Sequence, residues 1–122
     1  MMNMKVNSTV LRVKLCGNSS AEAVKELLKK GPLTLEMKDY AHMEKFASLG
    51  KQLPRNDEHI TAEPGDVILS DGNLLVIYYA PNTWRFTRLG RVQGMAADEL
   101  KRALGGGNIT ATLSLSDEAM NR

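Results

Sequence analysis

The residues of this chain best suited to chemistry lie in Trp84-Arg85-Phe86-Thr87-Arg88-Leu89-Gly90-Arg91. Side chains of an extended strand alternate between its two faces, so Trp84, Phe86 and Arg88 share one face. An arginine on the apolar face of a small β-domain needs a buried carboxylate or a pocket open to a ligand, because an enclosed charge must be compensated. Its guanidinium would offer a planar, permanently charged set of donors to an anionic group or an amide. Two other readings of the same residues stay open. Gly90 could mark a bulge that turns Arg88 to the opposite face. The strand could also be an edge whose aromatics cover a satellite cluster and whose arginines are all wet.

Other side chains could complete such a site. Glu36 is a possible partner for Arg88, although its place between Leu35 and Met37 points it to solvent. Tyr78 and Tyr79 take opposite faces of one strand, so either could present a hydroxyl to a cavity or pack in the core with that hydroxyl satisfied. Phe46, with Tyr40 and Leu53-Pro54, could wall a groove or cap the domain. The candidate ligand-binding set is therefore Arg88, Tyr79, Phe46, Trp84 and Glu36. No metal site is expected, since His42 and His59 lack further ligands at metal-binding spacing, and no cofactor is called for. No Ser-His-Asp signature is present. Gly105 to Gly107 follow a helix and precede a strand, the reverse of a phosphate-cradling loop. Cys16 is alone and reads as a small semi-buried thiol rather than a nucleophile.

The elements that must position these residues are mostly short strands. Asn7-Ser8 turns a short strand, Met2 to Val6, into one that alternates Val10, Arg12 and Lys14 against Leu11, Val13 and Leu15. Ser19 and Glu22 have capping-box spacing ahead of an apolar stripe of Ala23, Val24, Leu27 and Leu28, and Gly31-Pro32 ends that helix. The spacing predicts it over Ala21 to Lys30. Leu33 to Met37 alternates as a strand. From Lys38 to Pro64 the pattern blurs into a long irregular segment, in which Glu44 to Ser48 fits either a helix stripe or a short strand. Gly65-Asp66 opens a strand, and Asp71-Gly72 is a strong two-residue hairpin turn. The unbroken apolar run from Leu74 to Tyr79 predicts a central strand covered on both faces. Trp84 to Gln93 follows as a strand. A second helix is expected over Ala96 to Leu104, then a strand with Ile109, Ala111, Leu113 and Leu115 facing inward. This inventory predicts a mainly β domain with two helices, arranged as a small closed barrel over residues 1–115, with a polar tail over 116–122.

A chain of 122 residues suffices for one such domain, and its 43% hydrophobic and 25% charged content is ordinary. A formal charge of +2 is too small to argue for nucleic acid or an anionic membrane. No apolar run follows Met1 to Lys5, so a cytoplasmic protein is expected.

The order of segments resembles the cyclophilin-like proteins of bacteria and archaea, small single-domain relatives of cyclophilin without a settled activity. The resemblance spans Val6 to Leu115. It is carried by LCGNSSAEAVKELL, GPLTLEM, MEKFASLGKQLP, EPGDVILSDGNLLVIYY, TRLGRV and LGGGNITATLSL in that order. It implies the barrel. True cyclophilins isomerise X-Pro bonds with an arginine beside an apolar pocket and a Phe-Met-x-Gln-Gly-Gly segment, which this chain lacks. The expectation is a binding module for a peptide or small anionic ligand, monomeric or weakly dimeric. A divergent prolyl isomerase using Arg88 and a structural protein self-assembling through Trp84 are the alternatives.

Overall fold

The computed structural model describes residues 1–115, and the polar tail expected over 116–122 lies outside the described residues. The chain runs β1 (Met2–Val6), β2 (Thr9–Leu15), α1 (Ser19–Lys29), β3 (Leu33–Tyr40), β4 (Glu44–Ser48), β5 (Glu58–Ala62), β6 (Asp66–Ser70), β7 (Leu74–Tyr78), β8 (Asn82–Val92), α2 (Ala97–Leu104) and β9 (Ile109–Leu115). The fold is thus mainly β with two helices. The strand order is β2-β1-β9-β3-β4-β7-β6-β8-β5, and β2 also pairs with β8, so the ladders return to their starting strand with β5 appended at the edge of β8. All these pairings are antiparallel. No helix among the described residues is long and apolar enough to cross a membrane.

Local chemistry accounts for most of this. At Asp71-Gly72 both residues have positive φ (54° and 75°), the geometry of the tight turn that matches the twist of paired strands. The same turn recurs unannounced at Ala41-His42 (53° and 54°), joining β3 to β4 with Met43 N donating to Tyr40 O at 3.1 Å. Helix α1 starts earlier than the spacing predicts. Its cap is Asn18, not Ser19, because Asn18 Oδ1 accepts from Ala21 N at 2.8 Å while its amide donates to Arg88 O at 2.9 Å. Helix α2 ends at Gly105, with φ 68°, as the glycine run foretells.

The segment from 38 to 64, expected to be largely irregular, instead holds the end of β3, all of β4 and all of β5. Glu44 to Ser48 is a strand, paired to both β3 and β7.

Two apolar clusters divide the sheet. The main core takes Val67, Leu69, Leu75 and Ile77 from one face, with Met4, Leu11 and Leu113, and is covered by Val24 and Leu28 of α1 and Leu100 and Leu104 of α2. A second, smaller cluster on the opposite face gathers Ile68, Val76, Tyr78, Phe86 and Ala62, with Phe46 and Ile60 packed against it. Strand β7 is therefore covered on both faces, as its apolar run predicts.

Candidate functional site

The face that carries the second cluster is set by register. Phe46 pairs with Val76 and Glu44 with Tyr78, so these four side chains lie on one face of β4 and β7, while Lys45 and Ala47 point the other way. On β8 the ladder shifts between Val67 and Ile68: Val67 pairs with Gly90 but Ile68 pairs with Arg88, leaving Leu89 as the extra residue of a bulge. Leu89 turns into the main core and is fully buried. Trp84, Phe86 and Arg88 do share a face, as alternation requires. That face is the outer one.

On it lies a groove of about 470 Å³, walled by Phe46, Met43, Leu74, Phe86 and Trp84. Tyr40 meets Phe46 edge to face, with ring centroids 6.3 Å apart, and Tyr78 leans on Phe86 at 5.7 Å. Tyr40 and Trp84, 57% and 65% exposed, are two of the groove's lining residues and among the most exposed large apolar side chains of the described chain.

The polar part of the groove is a chain of three side chains. Asn82 Nδ2 donates to the Tyr78 hydroxyl at 3.0 Å, and Glu44 is the cross-strand partner of Tyr78. Glu44 is only 9% exposed. Burial holds its carboxyl above the usual range, against the lowering effect of the Tyr78 hydroxyl and with the nearby charge of Asp39 adding to the rise. The Tyr78 hydroxyl is pushed up to about 12, first by burial, with the Asn82 bond opposing and the Glu44 charge reinforcing. Among the described residues no lysine, arginine or histidine lines the groove.

The structure brings together two of the five residues expected to form a site, Phe46 and Trp84. Arg88 does not line the groove. Its Nη2 reaches Asp66 Oδ2 at 3.2 Å, and Arg91 Nη1 takes Asp66 Oδ1 at 2.6 Å, so two guanidinium groups hold one buried carboxylate that also accepts from Glu63 N. The expected carboxylate partner exists, and it is Asp66 rather than Glu36. Glu36 is exposed and accepts from the Thr110 hydroxyl at 3.0 Å across the β3 and β9 pair. Tyr79 packs against the main core, on the other side of the sheet from Tyr78. Its hydroxyl donates to Asp39, and burial, ahead of that bond, pushes it up to about 12. Beside it Lys45, fully buried, donates to Asp39 Oδ1 at 3.0 Å and Gly107 O at 2.5 Å and lies 5.4 Å from the Tyr79 ring centroid. Every donor there has a partner, which marks a structural clasp between β3, β4 and the turn before β9. Among the described residues no group of three or more His, Cys, Asp or Glu side chains is placed to hold a metal.

A model of the cyclophilin-like family matches residues 4–114. The chain belongs to that family. No curated protein matches this cyclophilin-like chain significantly. Among solved structures it is similar to McbB, determined in complex with tryptophan, with a TM-score of 0.68 at 15% sequence identity. The likeness covers 97% of this chain and 45% of McbB, so the cyclophilin-like chain spans less than half the length of that neighbour. At such identity the shared property is the fold.

Glu44 and Asn82 were the site residues that sequence reasoning missed, and Tyr78 was weighed as a hydroxyl for a cavity but left out of the candidate set. One signal was available: in an extended reading of Glu44 to Ser48, Glu44 shares a face with Phe46, and a carboxylate beside an aromatic on a paired strand is unusual company.

Proposed function

We propose that this chain is a binding module, a closed cyclophilin-like barrel whose outer groove holds an apolar or aromatic group of a peptide or small molecule. The supporting observation is the groove over β4, β7 and β8, where exposed and half-buried aromatic rings surround a polar chain with acceptor capacity to spare. An isomerase acting through Arg88 has less support, because that guanidinium is engaged with Asp66 and does not line the groove. Self-assembly through Trp84 has the exposed indole in its favour, and the same variant separates the two ideas. The free Cys16 suits a reducing compartment such as the cytoplasm.

Trp84 is the single tryptophan of the chain, so its fluorescence reports on the groove directly. Prolyl peptides and small aromatic compounds added to the intact protein are expected to shift or quench that emission saturably. Trp84→Ala should weaken binding, read by calorimetry, without altering the mass in solution. Emission indifferent to every compound, together with a mass that falls in Trp84→Ala, would favour the assembly reading instead.

A further inference from the structure

Resting on that reading of the outer face, the charge of the ligand follows from what surrounds Glu44. Its carboxylate is enclosed, yet its polar neighbours are neutral: Tyr78 faces it across the strand pair, and Asn82 donates to the Tyr78 hydroxyl. A carboxylate has about four lone-pair directions, so most of its acceptor capacity is unspent. Elsewhere in the described chain enclosed carboxylates have cations: buried Asp66 holds Arg88 and Arg91, and partly buried Asp39 holds Lys45. Among the described residues Glu44 has no such ion pair, and the second acid of the groove, Asp71, meets Arg55 only at 4.0 Å on an exposed rim. Five of the remaining lining residues are aromatic, Tyr40, Phe46, Tyr78, Trp84 and Phe86, and the face of such a ring attracts a cation and repels an anion. A chain of net charge +2 thus presents a groove with two acids and, among the described residues, no base.

We infer that the groove takes a protonated amine attached to an apolar or aromatic body, with the ammonium on Glu44 and the body against Phe46 and Trp84. The ammonium supplies the counter-charge that Glu44 alone lacks, and it replaces a costly buried charge by a charge-assisted hydrogen bond. The expected anionic ligand meets no cationic donor among the described residues that line the groove. The amine can come from a free small molecule or from a lysine side chain of a peptide, since both present the same group.

Calorimetric titration of the intact protein with phenethylamine, 2-phenylethanol and 3-phenylpropionate tests this at constant ring size. N-acetyl-phenylalanyl-lysine amide, whose only charge is the side-chain ammonium, distinguishes a peptide source from a free amine. The amine is expected to bind at least about tenfold more tightly than the alcohol, and the carboxylate most weakly. Glu44→Gln should bring amine and alcohol within about threefold of each other while leaving alcohol binding in place. If the alcohol binds but the amine binds no better, or the carboxylate binds best, the inference fails and the groove survives as a ligand site. If none of the three binds, both fail together. The charge series on the unaltered protein decides the matter even if the Glu44 variant folds poorly.

Discussion

At the scale of single residues, two buried charges of this protein behave oppositely. Lys45 points into the main core and is satisfied by Asp39 and the Gly107 carbonyl, so removing it strands both partners. Lys45→Met is expected to cost roughly 3 kcal/mol in urea unfolding, the scale of a broken buried pair. An unchanged midpoint would show that the clasp contributes nothing. Glu44 is the reverse case, a carboxylate without a cation whose burial already works against its ionised form. Glu44→Gln should therefore leave stability at neutral pH unchanged or slightly raised, although it removes the buried one of the groove's two acids. A site residue whose replacement harms binding and spares folding is the signature sought here, and Lys45 lacks it. Lys45 was not legible as a pattern, and Glu44 only through its shared face with Phe46 in an extended reading: a lysine facing the core and a glutamate facing an aromatic groove both look like ordinary solvent-facing charges on the page.

Among elements, the least tolerant contact is the approach of β2 to β8. A Cβ added at Gly90 would stand 2.5 Å from Lys14 O and 2.9 Å from Val13 Cγ1, both held by the pairing of β2 with β8. Gly90→Ala should destabilise the protein by about 2 kcal/mol or more, against a control substitution at open Gly106 that changes little. Equal effects at the two positions would mean that the β2 and β8 pairing is loose. The helices, the Asp71-Gly72 hairpin and the strands with clean alternation could all be read from the sequence, because caps, turn residues and period-two patterning agree there. Strand β4 could not, since Lys45 on its inner face and Glu44 on its outer face erase the alternation. Its turn, Ala41-His42, adopts the conformation of Asn-Gly without the residues that announce it. Strand β5 is an edge with only Ile60 and Ala62 to pack, so it too carries little pattern. The alternation of Trp84, Phe86 and Arg88 was readable, but which face they occupy depends on the bulge at Leu89 and on β5 covering the outside.

For the molecule as a whole, acid should act through carboxylates held below their ordinary values. The Tyr79 hydrogen bond, with help from Lys45, lowers Asp39; at Asp57 burial opposes, and the bonds from Arg55 and Thr87 outweigh it. For both, the folded value lies below the unfolded value of about 3.8, so their stabilisation is complete above that pH and is lost as pH falls through the folded values. Glu44 has the opposite sign: its folded value lies above 4.5, and protonating it as pH falls through that value favours the folded state. The urea midpoint should hold or rise slightly on mild acidification and then drop below pH 3.8, with a shallower drop in Asp39→Asn. An acid limb identical in the two proteins would remove Asp39 from the account. The central claim, that the working surface is the outer face of β4, β7 and β8, is tested most directly by mapping backbone amide shifts during a phenethylamine titration. The shifts should concentrate at Met43 to Phe46, Leu74 to Tyr78 and Asn82 to Phe86. Shifts gathered instead around Arg88, Arg91 and Asp66, or around Asp39, Tyr79 and Gly107, would contradict it.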